Sequence, residues 1–192
     1  NELLPRALAK RAVTRAWVDE KNALLAVDAG ADKKAEEFLV ALRRADDDIL
    51  CKRLDTLQSP GASMTRWLAA HKAPAGFSID QDLELQSPDM SKATVRYTRH
   101  PLDGKDIGHH LAAGKTVLRM GLTWKDKISF VLTDQFHIKR LAFVGIVNEE
   151  TASEVADEEE QFAIDFALMT GEVSLMLADL VEALGGAKGV EA

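Results

Sequence analysis

The feature that most constrains the fold is an apolar repeat near the C-terminus of the 192-residue chain. Large apolar residues follow one another there at alternating spacings of four and three: Phe162, Phe166, Met169, Val173, Met176 and Leu180. This spacing predicts an α-helix over residues 162–184 with a single apolar seam, ended by Gly185 and Gly186. Because further apolar residues widen the seam, we expect this helix to be a core element buried between partners. Gly171 inside the helix indicates that another backbone comes close there.

Shorter repeats upstream predict a mixture of strands and helices. Alternating patterns indicate strands at residues 14–18, 23–27, 49–57, 93–99, 115–124 and 128–133, with strand-like runs at 136–138 and 141–147. Helical patterns cover residues 2–10, 31–45, 59–71 and 102–113. Hairpins, and not regular βαβ units, connect the strands. The predicted fold class is therefore α+β, with mixed antiparallel hairpins and helices and a long buried C-terminal helix.

Some positions carry sharper local expectations. The turn-forming segment 80–82 is expected to break a strand into two pieces. Asp103 is the expected N-cap of the short helix that follows it. Strict alternation places Leu118 on the same side of its strand as Met120, with Val117 on the opposite side.

The expected organisation is a domain of residues 1–53 plus 141–192, part of it missing at the N-terminal side, into which residues 54–140 are inserted. The chain begins at Asn1, inside a helical pattern, and we expect it to be a piece of a longer protein. Its one cysteine, Cys51, forbids an internal disulfide, fits a reducing cytoplasm and is expected to be a small buried residue. No apolar run approaches the roughly 20 residues of a membrane span.

Charge is strongly segregated along the chain, although the net charge is −7. The basic block, residues 91–140, holds ten Lys and Arg against four Asp and Glu, and four of the five histidines. The acidic segment, residues 141–192, holds one basic and twelve acidic residues. Such segregation bears on partners more than on fold. The basic block is therefore a candidate surface for a polyanion.

Signals for an enzyme are weak. Gly114-Lys115-Thr116 resembles the end of a phosphate-binding loop, but the spacing from Gly108 is wrong and the helix precedes the motif instead of following it. The adjacent His109 and His110 point about 100° apart on a helix and do not make a metal site. We therefore expect no enzymatic activity, no metal and no cofactor, with a nucleotide or metal enzyme as the third-ranked hypothesis.

Basic positions on regular elements are the most informative candidates. We expect DNA-phosphate contacts from these residues: Arg6, Lys10, Arg11, Arg96, Arg99, His100, Lys115 and Arg119. No helix-turn-helix, zinc or aromatic RNA-binding signature accompanies them, which favours contact with the nucleic-acid backbone over base reading. The cations between Lys92 and Arg140 are expected to form a common positive wall turned away from the acidic segment. The rival hypothesis is a protein-interaction module in which the acidic segment contacts a basic partner.

Several stretches then carry a family resemblance. They include LLPRA at residues 3–7, PAGF at 74–77, LTW at 122–124, SFVLT at 129–133, KRL at 139–141 and DFALMTGE at 165–172. On these motifs the chain strongly resembles the recombination-associated protein RdgC family, and the match covers the C-terminal majority of that family.

The resemblance implies a cytoplasmic, nucleoid-associated DNA-binding protein without enzymatic activity. It implies a ring-shaped homodimer that accepts double-stranded DNA without sequence preference and limits the access of a bacterial recombinase to DNA; binding of single-stranded DNA stays open. Arg6 matches the arginine of the LLPRA motif and Arg99 matches a basic position that faces DNA. Leu8 stands at a dimer contact where the family often has Phe, and His100 stands where the family can carry Gln.

Overall fold

The computed structural model describes residues 13–145 and 158–189. The chain divides into two compact units, Asn1–Arg53 and Leu54–Ala192. The described residues form seven strands and four helices: β1 (Arg15–Asp19), β2 (Leu24–Asp28), α1 (Asp32–Ala45), α2 (Pro60–Ala69), β3 (Phe77–Gln86), β4 (Thr94–Tyr97), α3 (Lys105–Ala112), β5 (Thr116–Trp124), β6 (Ile128–Thr133), β7 (Ile138–Phe143) and α4 (Glu158–Ala183). This mixture of helices and antiparallel sheets confirms the α+β class.

The first unit contains a two-stranded hairpin and one helix. β1 and β2 pair antiparallel, as the alternation predicts, and Asp19 accepts hydrogen bonds from the backbone and side chain of Asn22 in the turn. The apolar face expected on α1 is half-buried, with Phe38 and Leu39 among its members, and no residue of α1 is fully buried.

The second unit is built on a five-stranded antiparallel sheet in the order β4-β3-β5-β6-β7. Its core joins one face of the sheet to α2, α3 and α4. The fully buried helix residues include Met64 and Leu68 from α2, Ile107 from α3, and Leu180 from α4. Because the helices cover one face, the polar side chains of the strands lie on the opposite face.

The long C-terminal helix is present, but its burial was only partly predicted. Met176 and Leu180, near its C-terminal end, are completely buried, as is Leu184 just beyond it. Phe162 and Leu168, in the N-terminal half, are 69% and 66% exposed. The apolar pattern identified the helix correctly, whereas the described residues bury only its last turns.

Four local expectations are wrong. Residues 49–57 form no strand; only Thr56 makes an isolated bridge, to Ala187. Segment 80–82 does not break β3, because the strand continues through it with a shift in register. Asp103 does not cap α3, whose N-cap is Gly104 without a side-chain cap.

The fourth error concerns β5. Val117, and not Leu118, is buried in the core beside Met120, because an irregularity in the β3–β5 pairing reverses the alternation there.

Cys51 is half-buried and free, so it is more accessible than expected.

Other predictions remain open. The helix predicted over residues 2–10 lies outside the described residues, as do the candidates Arg6, Leu8, Lys10 and Arg11. The grouping of residues 1–53 with 141–192 concerns the association of the two units and stays a prediction. No helix in the described part of the chain is long and apolar enough to span a membrane.

Candidate nucleic-acid interface

We call the face of the five-stranded sheet that the helices do not cover the open face. On this face β3 is irregular. The register of β3 against β5 shifts between Ile79 and Leu83, so that Asp80 and Asp82 both lie beside Gly121. A Cβ atom at Gly121 would stand 3.1 Å from the Cβ of Asp80 and 3.3 Å from the Cβ of Asp82. Glycine at this position therefore lets two carboxylates sit against the middle of the sheet.

One carboxylate then gathers two arginines across three strands. Glu84 of β3 lies opposite Arg96 of β4 and Arg119 of β5 in the pairing register. Arg96 donates to Glu84 Oε2 from Nη2 at 2.6 Å and from Nε at 3.1 Å, and Arg119 Nε lies 3.8 Å from the same oxygen. Because one carboxylate serves two guanidinium groups, this cluster keeps one positive charge in excess.

A second carboxylate contacts the next two arginines. Asp82 Oδ2 accepts from Arg140 Nη2 at 2.7 Å, and its Oδ1 accepts from the backbone N–H of Arg99 at 3.4 Å. Arg99 and Arg140 have positive φ angles of 51° and 52°. Residues other than glycine rarely adopt this backbone conformation. The positive φ angles therefore indicate that regular strand geometry is interrupted at both arginines.

These groups surround a depression of about 270 Å³ on the open sheet face. We call it the basic cleft, defined by the lining residues Asp82, Leu83, Glu84, Arg96, Tyr97, Thr98, Arg119, Val131, Lys139 and Arg140. Four cations face two carboxylates, so the lining carries a formal charge of +2. Lys139 makes no ion pair within residues 13–145 and 158–189, which leaves its ammonium available to a ligand.

Asp80, the other carboxyl group beside Gly121, has a raised pKa. Burial raises the pKa of Asp80 above its ordinary value, and the charge of Asp82 raises it further. The Thr123 hydroxyl, 3.0 Å from both carboxylate oxygens, opposes this by stabilising the charged form. The net result is a raised pKa at Asp80.

The structure brings together Arg96 and Arg119 of the predicted DNA-contact residues, both in the basic cleft. Arg99 borders it through its backbone, while the His100 ring lies 2.8 Å from the carbonyl oxygen of Pro101 and 5.3 Å from the Tyr97 ring.

Lys115 lies apart from the cleft lining, and its ammonium is 3.1 Å from Nδ1 of His110. Sequence reasoning missed Lys139 and Arg140 as site residues. Two sequence signals pointed to them: their membership of the basic block and the KRL motif at residues 139–141.

The expectation of one positive wall turned away from the acidic segment is wrong for two lysines. Lys125 pairs with Asp179 at 2.9 Å and Lys127 pairs with Glu172 at 2.7 Å, both on α4. These cations therefore help to hold α4 to the sheet. The positive surface is narrower than the basic block as a whole.

No group of three His, Cys, Asp or Glu side chains in the described ranges is placed to hold a metal ion. What the fold and the cleft define is an α+β protein that displays arginine and lysine on the open face of an antiparallel sheet.

Comparison with known proteins gives the family. Residues 1–187 match the family described as "Putative exonuclease, RdgC". The chain is 50% identical over 185 residues to the recombination-associated protein RdgC of Cupriavidus pinatubonensis and 50% identical over 188 residues to that of Dechloromonas aromatica, covering 96% of this chain and 62% of each relative. It is 43% identical over 190 residues to the Bordetella pertussis protein of the same name, covering 99% of this chain and 64% of the relative. The chain belongs to the RdgC family, and it spans somewhat less than two thirds of the length of these relatives.

Proposed function

We propose that this chain belongs to a protein that binds double-stranded DNA without sequence preference, and that the basic cleft is part of its DNA-binding surface. The observation that carries the proposal is the convergence of Arg96, Arg119, Lys139 and Arg140 on one open sheet face with a net positive charge. Cations on rigid strands neutralise phosphates and release counterions regardless of sequence.

The arginine–carboxylate pairs of the cleft fit exchange with phosphate. The side chains of Arg96, Arg119 and Arg140 are 62%, 47% and 65% exposed, so their pairing with Glu84 and Asp82 contributes little to stability. A guanidinium group makes the same two-pronged contact to phosphate as to carboxylate. An approaching phosphate can therefore compete for these guanidinium groups, more easily at Arg140, whose partner Asp82 is 29% exposed, than at Arg96, whose partner Glu84 is 14% exposed.

Family resemblance supports the finer features of the proposal. We infer a ring-shaped homodimer, with Leu8 at a subunit contact and Arg6, Lys10, Arg11, Arg99, His100 and Lys115 as additional DNA contacts. Such a ring would limit the access of a bacterial recombinase to DNA in the cytoplasm, at the nucleoid. The chemistry proposed for the chain is binding, without catalysis and without a cofactor.

The test is fluorescence anisotropy with two unrelated duplexes of equal length over a range of salt concentrations. We expect both to bind with similar Kd, and the logarithm of affinity to fall linearly and steeply with the logarithm of salt. Reversing the charge of Arg96, Arg99 and Arg119 together should weaken both duplexes by the same factor. Affinity that ignores salt, or that is lost for one duplex alone, would reject the proposal.

A second candidate function rests on α4. This helix contains no Lys or Arg, and much of its apolar surface is exposed. The acidic segment is thus a candidate contact for a basic surface of a recombinase. Binding to a purified recombinase without DNA, lost when Glu158, Glu159 and Glu160 are changed to Gln, would favour this function; unchanged binding by that variant would argue against it.

A further inference from the structure

Gly171 has no structural explanation within the described part of the chain. It lies in the middle of α4, is exposed, and has no atom outside its own helix backbone within 4 Å of the position that a Cβ would take. Glycine is the least favourable residue for a helix interior apart from proline. Neither helix propensity nor close packing within the second unit therefore explains a glycine at this position.

Gly171 belongs to a second apolar seam on α4. Ile164, Leu168 and Leu175 are 46%, 66% and 59% exposed, and together with Gly171 and Ala178 they are spaced by four, three, four and three residues. At 100° per residue these five positions fall within roughly 80° of the helix circumference. We call them the outer seam.

The outer seam lies on the opposite side of α4 from the surface that packs on the sheet. Met176 and Leu180, which are completely buried against the core, lie about 120° and about 160° around the helix from the middle of the outer seam. The core of the second unit therefore leaves the outer seam uncovered. Its contiguous large apolar side chains are of the kind that marks an interaction site.

The spacing of the outer seam selects a helix as the occupant. Alternating spacings of four and three keep a stripe of side chains facing one partner helix over several turns. Small residues at Gly171 and Ala178 allow the backbone of that helix to approach, while Leu168 and Leu175 fill the spaces on either side. From Ile164 to Ala178 the seam covers 15 residues and spans about 21 Å at the rise of an α-helix, or about four turns.

The charges around the outer seam select a basic partner. Glu160 and Glu182 lie at its two ends and Asp165 lies beside it, while α4 carries no Lys or Arg. Glu172 and Asp179 are already paired with Lys127 and Lys125, which lie in the turn between β5 and β6. A second copy of α4 packed on this seam would bring like charges together, whereas a helix flanked by Lys and Arg would complement them.

We propose that the outer seam binds an amphipathic α-helix of a partner protein, apolar along one face and flanked by Lys and Arg. The inference goes beyond DNA binding, since it concerns a different surface and needs no DNA. It also differs from the second candidate function, in which acidic residues contact a basic surface. Here apolar packing at the outer seam makes the contact, and charge determines which helices are preferred.

The probe is a pair of synthetic helical peptides of about 21 residues with the same leucine and alanine seam, one flanked by Lys and Arg and the other by Glu. Isothermal titration with the full chain should show at least tenfold tighter binding of the basic peptide, and the difference should shrink with added salt. Failure of both peptides to bind would overturn the proposal. Equal affinity for both would overturn its charge requirement.

Gly171→Leu is the discriminating variant, because it blocks close approach without touching any described neighbour. Gly108→Leu is the matched control, since Gly108 is also an exposed helical glycine with nothing within 4 Å. Only Gly171→Leu should weaken the basic peptide, by at least tenfold, while circular dichroism shows both variants folded.

Two other results would overturn the proposal. One is unchanged peptide affinity in the Gly171→Leu variant. The other is concentration-dependent self-association of the chain, seen by sedimentation velocity and lost in that variant, which would make a second copy the occupant.

Discussion

The carboxylate of Asp179 joins α4 to the sheet, and its removal should measurably destabilise the second unit. Asp179 Oδ2 accepts from Trp124 Nε1 at 2.8 Å and lies 2.9 Å from Lys125 Nζ. Trp124 is 1% exposed, so Asp179→Ala leaves an indole N–H without a partner in the core, at a cost of about 1–3 kcal/mol. The ion pair is half exposed and adds at most about 1 kcal/mol. We therefore expect a loss of about 2–3 kcal/mol in the free energy of unfolding.

Asp179→Asn is the matched control, because its amide oxygen still accepts the indole hydrogen bond and only the charge is lost. It should cost less than about 1 kcal/mol. Urea unfolding followed by tryptophan fluorescence measures both variants, since Trp124 lies at the contact. Equal stability of Asp179→Ala and Asp179→Asn would refute the assigned role of the indole hydrogen bond.

Acid provides an independent check of the same contact. The Lys125 ammonium and the Trp124 indole N–H hold the pKa of Asp179 below its ordinary value. A carboxyl with a lower pKa in the folded than in the unfolded state adds stability that is complete above the unfolded value, about 3.9, and is lost as the pH falls through the folded value. The stability difference between wild type and Asp179→Asn should therefore shrink as the pH falls below about 4. A difference that grows on acidification would contradict the assignment.

Two further substitutions test the open face of the sheet. Gly121→Ala forces a methyl group against the Cβ atoms of Asp80 and Asp82 and should cost about 1–3 kcal/mol in urea unfolding; a loss under 0.5 kcal/mol, roughly the effect of a neutral surface change, would show that the strands yield freely. Arg140→Gly relieves a positive φ worth about 1 kcal/mol while removing a cleft cation, so DNA affinity should fall without loss of stability. Lys92→Gly, at a φ of 46° outside the cleft lining, should relieve strain and leave DNA affinity unchanged; equal effects of the two glycines on affinity would contradict the role of Arg140.

The local sequence pattern predicted most helices and strands correctly, but it could not predict which of their side chains come together in the fold. Alternation put Arg96 and Arg119 on strands, yet their meeting at Glu84 depends on the register of β3 against two neighbours, which is fixed by pairing between distant segments. Arg140 is placed by an irregularity in the pairing of β6 with β7, and such a shift reverses which side of the sheet a residue faces. No local spacing signals it.

The C-terminal helix illustrates the other limit. Its seam showed which side chains favour burial, and Met176 and Leu180 are indeed buried. The same pattern continues through Phe162, which the described residues leave exposed. Apolar periodicity shows which face of a helix favours burial, but it does not identify the segment or molecule that covers that face.

The most direct test of the account is the salt dependence of DNA binding in a cleft variant and a control of equal charge. Arg96→Gln with Arg119→Gln removes two cations of the basic cleft, and Arg66→Gln with Lys72→Gln removes two that do not line it. If the cleft contacts phosphates, the slope of log affinity against log salt should fall in magnitude by about 1.8 in the cleft variant, at 0.9 per phosphate contact, and stay unchanged in the control. Equal slopes for the two variants would contradict the placement of DNA at this cleft.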